Sequence, residues 1–236
     1  MNKSYLFALL FIVLIGLTLG AVIFDRFPYD LAITRWVQSL NVDRVIGSSV
    51  LLYNGRLGIV GIAGGIGLGV IILLWLKNRR VEAASVAMVG VADLINPLFR
   101  VIIDRPRPTE DLVSIYYPDL EPFSFPSGTA MHITMFCGIL VYLSGRLLKP
   151  GLLRYILQTL LVLYIPLMGL RLIYLGSHWP SDILGGYVYG GLFLWTIIWG
   201  HHRYLGWRRC YPSQQIPKEA LPLLLRPFAP IFTRLR

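Results

Sequence analysis

Long apolar runs alternate with short polar and basic stretches along this chain. A helix needs about 20 residues to cross a hydrocarbon core of about 30 Å. Six runs approach that length, at 5–23, 57–76, 81–103, 129–147, 155–170 and 183–199. They predict an all-α bundle of six transmembrane helices. The first run begins after Lys3 in the manner of a secretory signal. No small-residue cleavage site follows it before Asp25 and Arg26, so it reads as a retained helix. Residues 27–56 mix Trp36, Leu40, Val45 and Ile46 with charges, which predicts partly helical, amphipathic packing at the membrane interface. Pro212, Pro217, Pro222, Pro227 and Pro230 argue against one long helix in the tail. The pattern therefore divides the chain into a membrane domain, 1–203, and a basic, proline-rich tail, 204–236, resting on anionic lipid.

Composition agrees. The chain is 56% hydrophobic and 14% charged, with mean hydropathy +0.64. A soluble domain carries about 25% charged residues, so this one lacks the polar side chains to cover a surface in water. Cys137 and Cys210 are the only cysteines, which excludes a disulfide-stapled secreted scaffold. The net charge of +10 sits mostly in segments between apolar runs and points to anionic lipid as partner, with no nucleic acid expected. With both termini cytoplasmic, the inner segments hold fourteen basic and two acidic residues, and the outer segments hold eight basic and nine acidic ones. That asymmetry follows the retention of Lys and Arg inside. Oligomeric state is left open.

Three polar clusters break the apolar pattern, and all three fall on the outer side of this topology. Segment 100–108 carries Arg100, Asp104, Arg105 and Arg107, with Pro106 and Pro108 stopping the helix so that Arg105 and Arg107 project from an extended strut. Arginine presents a fork of donors suited to phosphate oxygens, although a basic anchor snorkelling to headgroups has the same composition. Segment 124–132 places Ser127, Gly128 and Thr129 at a helix start, where free amides bind anions, and His132 one turn further in. Segment 169–182 holds Arg171, His178 and Asp182. The last two are four apart, so Asp182 can take the proton of one imidazole nitrogen and leave the other as a nucleophilic lone pair. Asp93, Asn96 and Arg100 share one face of the third run. A carboxylate in hydrocarbon must pair or change protonation, and Arg100 is two turns away, so a link through Asn96 or another helix is expected. No metal or other cofactor is expected, because one His–Asp pair does not complete a zinc or magnesium sphere.

In order, Arg107-Pro108, Pro126-Ser127-Gly128 and His178 with Asp182 four residues on resemble the type 2 phosphatidic acid phosphatase (PAP2) family, membrane lipid phosphatases related to soluble vanadium haloperoxidases. The resemblance implies that His178 attacks phosphorus, that Asp182 orients it, and that Arg100, Arg107, Ser127, Gly128, Thr129 and Arg171 surround the phosphate. Three positions depart from the family pattern. Arg100 stands where the family has lysine. Thr129 stands where it has an acid histidine. Arg171 precedes His178 by seven residues instead of six, with Leu172 in the usual arginine position. Threonine is no acid near neutral pH, so the expectation is that His132 supplies the proton, or that the leaving group is a good one such as a diphosphate. The implied activity is hydrolysis of a lipid phosphate at the outer face of the plasma membrane. Phosphatidate, phosphatidylglycerol phosphate, a sphingoid phosphate and a polyprenyl diphosphate such as undecaprenyl diphosphate all fit. The alternative is a noncatalytic or weakly active lipid-phosphate binder of the same fold.

Overall fold

The computed structural model describes residues 3–40, 56–116 and 121–210. Among these it contains eight helices: α1 Lys3–Ile23, α2 Asp30–Ser39, α3 Arg56–Leu76, α4 Arg80–Asp93, α5 Asn96–Ile103, α6 Gly128–Leu147, α7 Leu152–Tyr174 and α8 Pro180–Cys210. The all-α expectation holds, but the count of spans does not. Among the described residues four stretches are long and apolar enough to cross a membrane: Arg80–Ile103 (α4 with α5), Gly128–Leu147, Leu152–Tyr174 and Pro180–Trp207. Within α1 and α3 the apolar stretches among the described residues are shorter, Ala8–Ile23 and Gly64–Leu76. At 1.5 Å per residue these reach roughly 24 and 20 Å, short of a hydrocarbon core of about 30 Å. Six expected spans therefore become four. The expected cytoplasmic placement of both termini rested on that count, and residues 1–2 and 211–236 lie outside the described residues.

The helical, amphipathic part of the expectation for 27–56 is met by α2, whose buried Asp30, Thr34 and Val37 recur at helical spacing. Residues 41–55 lie outside the described residues. α8 continues to Cys210, past the expected end at Trp199.

The third predicted span is two helices in line. Pro97 lacks an amide hydrogen and its ring clashes with the carbonyl four residues back, at Asp93. The chain turns at Leu94 and Ile95, and α5 restarts with Pro97 in its first turn.

α6 occupies the centre of the bundle and packs on α8, α7 and α4. Met131, Met135 and Ile139 are fully buried at four-residue spacing, and Phe125 closes the core above them. Glycines on α8 let its backbone approach the start of α6. A Cβ at Gly186 would lie 2.6 Å from the Ser127 carbonyl oxygen, and one at Gly190 2.8 Å from that of Met131. The start of α6 and the start of α8 are thereby held side by side, at the end of the bundle where α5 and α7 finish.

Candidate active site

The site is built where those four helix ends meet. α7 stops with Gly176 in the left-handed region (φ 67°). The Gly176 and Ser177 amides donate back to Ile173 and Leu172 at 3.0 and 3.1 Å, a reversal that glycine makes without Cβ strain. His178 follows directly, and α8 opens two residues later with Pro180 in its first position. The Asp182 carboxylate reaches back to the Trp179 amide at 2.8 Å, half of a capping box. One short segment therefore both starts the helix and aims the His–Asp pair.

His178 is 3% exposed and Asp182 is fully buried. Their Nδ1 and Oδ2 atoms are 3.6 Å apart, with the Ser124 hydroxyl 3.4 Å from Nδ1 and donating to Oδ2. On the other side of the ring, Nη1 of Arg107 lies 3.3 Å from Nε2. A guanidinium has no acceptor, so Nε2 must present its lone pair there and the proton sits on Nδ1, facing Ser124 and Asp182. Electrostatics agree with that assignment. Burial and then the Arg107 charge lower the imidazole from its usual 6.5 to about 4, Asp182 opposes them, and Arg100 adds to the lowering. His178 is a neutral imidazole throughout the physiological range.

The extended strut appears as expected, but its two arginines differ in role. Its Pro106 pairs with Phe123 in an antiparallel bridge, and the Ser124 amide donates to the Arg105 carbonyl at 2.8 Å. Arg107 donates to the Glu121 carbonyl at 2.5 Å and to the Ser177 carbonyl, which holds its fork beside Nε2. Arg105 is 1% exposed and donates to Asp182 at 2.5 Å and to Asp30 at 2.9 Å. It is a buried strut of the site. Arg105, read from the sequence as a donor suited to phosphate, is spent on Asp182 and Asp30, and Ser124 and Asp30 were not predicted as site residues. Ser124 and Arg105 lie inside segments with a recognisable motif, whereas Asp30 joins the site through partners 75 and 151 residues away, Arg105 and Ser181.

At the α6 start, Ser127 is the N-cap and its hydroxyl accepts from the Ala130 amide at 3.4 Å. Its own amide donates to the Asp182 carbonyl at 3.1 Å. Both polar groups of Ser127 are thus engaged, and the first two helical amides, those of Gly128 and Thr129, are the ones with no acceptor inside the helix. Arg100 reaches the same turn: its Nε donates to the Pro126 carbonyl at 3.3 Å, and its Nη1 is 3.7 Å from Glu121. A Cβ on Gly128 would lie 2.7 Å from Asn96 and 3.1 Å from Arg100, so this turn admits only glycine without displacement.

Among the described residues, neither His132 nor Arg171 is a hydrogen-bond partner of His178. His132 pairs across helices with Asp93, Nδ1 to Oδ2 at 2.5 Å, and stacks on Phe136. Another helix thus supplies the partner expected for Asp93. Arg171 is in the last turn of α7, and the charges acting on His178 are those of Arg107, Asp182 and Arg100. Beside Arg107 and Trp179 opens a cleft of about 560 Å³, walled by Ile23, Phe24, Pro106 and Leu112.

Comparison with known proteins fits this geometry. Residues 82–205, just over half of the chain, match the PAP2 superfamily. The chain belongs to that superfamily. The phosphatidylglycerophosphatase B of Bacillus subtilis (strain 168) is 29% identical over 112 residues, 46% of this chain and 52% of the relative, so the match spans about half the length of that protein. The crystal structure of a transmembrane PAP2 type phosphatidylglycerolphosphate phosphatase from Bacillus subtilis superposes with TM-score 0.54 at 22% identity, covering 86% of this chain and 98% of that one. That of Aquifex aeolicus LpxE gives 0.52 at 20%, covering 74% and 98%. The protein is a multi-pass integral membrane protein with the PAP2 phosphatase fold, and this family membership supports a phosphatase-type hydrolase.

Proposed function

We propose that this PAP2 protein hydrolyses a lipid phosphate or diphosphate through a phosphohistidine at His178. One observation carries the reading: the lone pair of a neutral, buried Nε2 faces the Arg107 guanidinium, so a phosphoryl group held by that arginine lies in its path. Arg107, Arg100 and the amides of Gly128 and Thr129 form the positive cradle that phosphoryl transfer needs around the equatorial oxygens. Attack forms the N–P bond and breaks the P–O bond to the leaving group, whose oxygen keeps the electron pair. His132 gives that oxygen a proton. Water then attacks phosphorus, returns the proton to His132 and restores the lone pair to Nε2. The net reaction consumes one water and releases phosphate with an alcohol, or phosphate with a lipid monophosphate.

The role of His132 is supported by its place and its partner. Side chains on a helix lean toward its N-terminus, so the imidazole leans over the turn of Thr129, the family's acid position. Asp93 holds Nδ1, and Nε2 has no hydrogen-bond partner among the described residues. The extracytoplasmic siting is supported by charge: the turns at the opposite end of the bundle carry Lys77, Arg79, Arg80, Lys149 and Arg154.

The test is phosphate release from a panel of lipid monophosphates and diphosphates by purified protein in detergent. Release by the wild type and none by His178→Ala supports the reading. A wild type that binds the lipids but releases no phosphate, with activity gained by Thr129→His, would instead make it a binder of the same fold.

A further inference from the structure

We propose that Asp30, outside the stretch that matches the family, is a positioning residue of the active site: it shares Arg105 with Asp182, so that Asp182 keeps negative charge for the histidine as that ring becomes cationic. The inference rests on the reading of His178 as the nucleophile.

Arg105 has no exposed side-chain surface, and its guanidinium is divided between two carboxylates, Asp30 at 2.9 Å and Asp182 at 2.5 Å, themselves 3% and 0% exposed. Ser181 knits the three together: it accepts from Arg105 at 2.8 Å and donates to Asp30 from its hydroxyl at 2.6 Å and its amide at 2.9 Å. Two buried anions thus share one buried cation. Within this triad, though not in the wider site where Arg100 and Arg107 also act, negative charge is in excess, and buried charge of that kind is costly unless a cation joins it. The reaction supplies one: a ring that keeps its Nδ1 proton while Nε2 bonds phosphorus is positively charged. The surplus is in place before that charge develops, which is how fixed groups lower a barrier. Without Asp30 the guanidinium belongs to Asp182 alone and neutralises it.

Asp30 has a structural task as well, since it also accepts from the Phe27 amide at 2.8 Å and from the Ser181 amide, the first that α8 carries after Pro180, at 2.9 Å. Asp30→Asn removes the charge but keeps only one acceptor oxygen, and the Phe27 and Ser181 amides bond different oxygens, so one cap bond is lost with the charge and the melting midpoint reads that loss apart from the rate. Purified full-length protein in detergent would be compared as wild type, Asp30→Asn and Asp30→Glu. The readouts are the rate of phosphohistidine formation after alkaline quench, KM, the melting midpoint, and the His178 titration by NMR of nitrogen-labelled histidine. The other charges acting on His178, from Arg107, Arg100 and Asp182, are the same in all three.

The expected result is phosphohistidine formation slowed about tenfold in Asp30→Asn. KM should stay within about twofold. The His178 titration should move to lower pH, and Asp30→Glu should restore most of the rate. If Asp30→Asn folds poorly, Asp30→Glu, with the carboxylate displaced by one methylene, reads the same rate effect on a smaller scale. A lower melting midpoint with an unchanged rate per folded molecule would overturn the proposal and leave Asp30 a cap. If the wild type forms no phosphohistidine, the parent reading fails, and an unshifted His178 titration in Asp30→Asn then separately overturns the coupling.

Discussion

Two histidine–aspartate pairs lie in this protein, and they are built on opposite plans. His178 and Asp182 sit one turn apart where α8 begins, almost without exposed surface. Asp182 is fixed by Ser124, Arg105 and the Trp179 amide. His132 and Asp93 come from two helices and meet at 2.5 Å, with side chains 26% and 30% exposed. The first pair is held from many sides and crowded by arginines, which suits a nucleophile that must stay neutral and aimed. The second has one strong contact and a buried ring nitrogen with no partner among the described residues, and its proposed role is to give and take a proton. The difference teaches that the same two residue types acquire different chemistry from the charges around them.

The sharpest way to break this contrast is to delete each histidine. His178→Ala should lower phosphate release by about 10⁴-fold or more, because the proposed mechanism runs through an intermediate on its Nε2. Asp182→Asn should cost about 10³-fold, since it removes the charge and replaces one acceptor oxygen by a donor, which disturbs the histidine tautomer. His132→Ala should cost about 10²-fold on a lipid monophosphate and less on a diphosphate, whose leaving group needs less proton help. Thr129→His in that background should recover most of the loss. Equal losses for the two histidines on both substrates would erase the distinction. Steady-state phosphate release measures all four.

A subtler effect concerns pH. The His178 imidazole titrates near 4 when folded and near 6.5 when free. Between those values the unfolded chain binds more protons, so stability rises with pH across that window. The contribution is fully present above about 6.5 and is lost as pH falls toward 4. Melting midpoints at pH 7.5 and 5 should therefore differ less in His178→Ala than in wild type. Arg100→Lys, which restores the family's residue, should change kcat/KM by no more than about threefold, because the charge beside Pro126 survives and only the fork is lost.

Much of this was legible in the chain because it is local. The runs that became α6, α7 and α8 are long and apolar. The strut is dictated by two prolines, and His178 with Asp182 is an i, i+4 pair beside a helix-starting proline. What escaped is set by distance or by length. Asp30 looks like an ordinary charge on an amphipathic helix until folding brings Arg105 to it. The partner of Asp93 lies 39 residues away on α6. Hydropathy made α1 and α3 resemble full spans, whereas their described apolar stretches stop short of a bilayer's thickness. Ser127, expected to offer its amide to phosphate, gives it to the Asp182 carbonyl instead.

The most direct test of the central claim, that Nε2 of His178 attacks phosphorus, is to trap the intermediate. Protein mixed with a lipid phosphate labelled in its phosphoryl group would be quenched in alkali, where a phosphohistidine survives, and the labelled peptide mapped. The account predicts label on the peptide containing His178 and none in His178→Ala. Turnover with no labelled protein, or with label retained in His178→Ala, would contradict it.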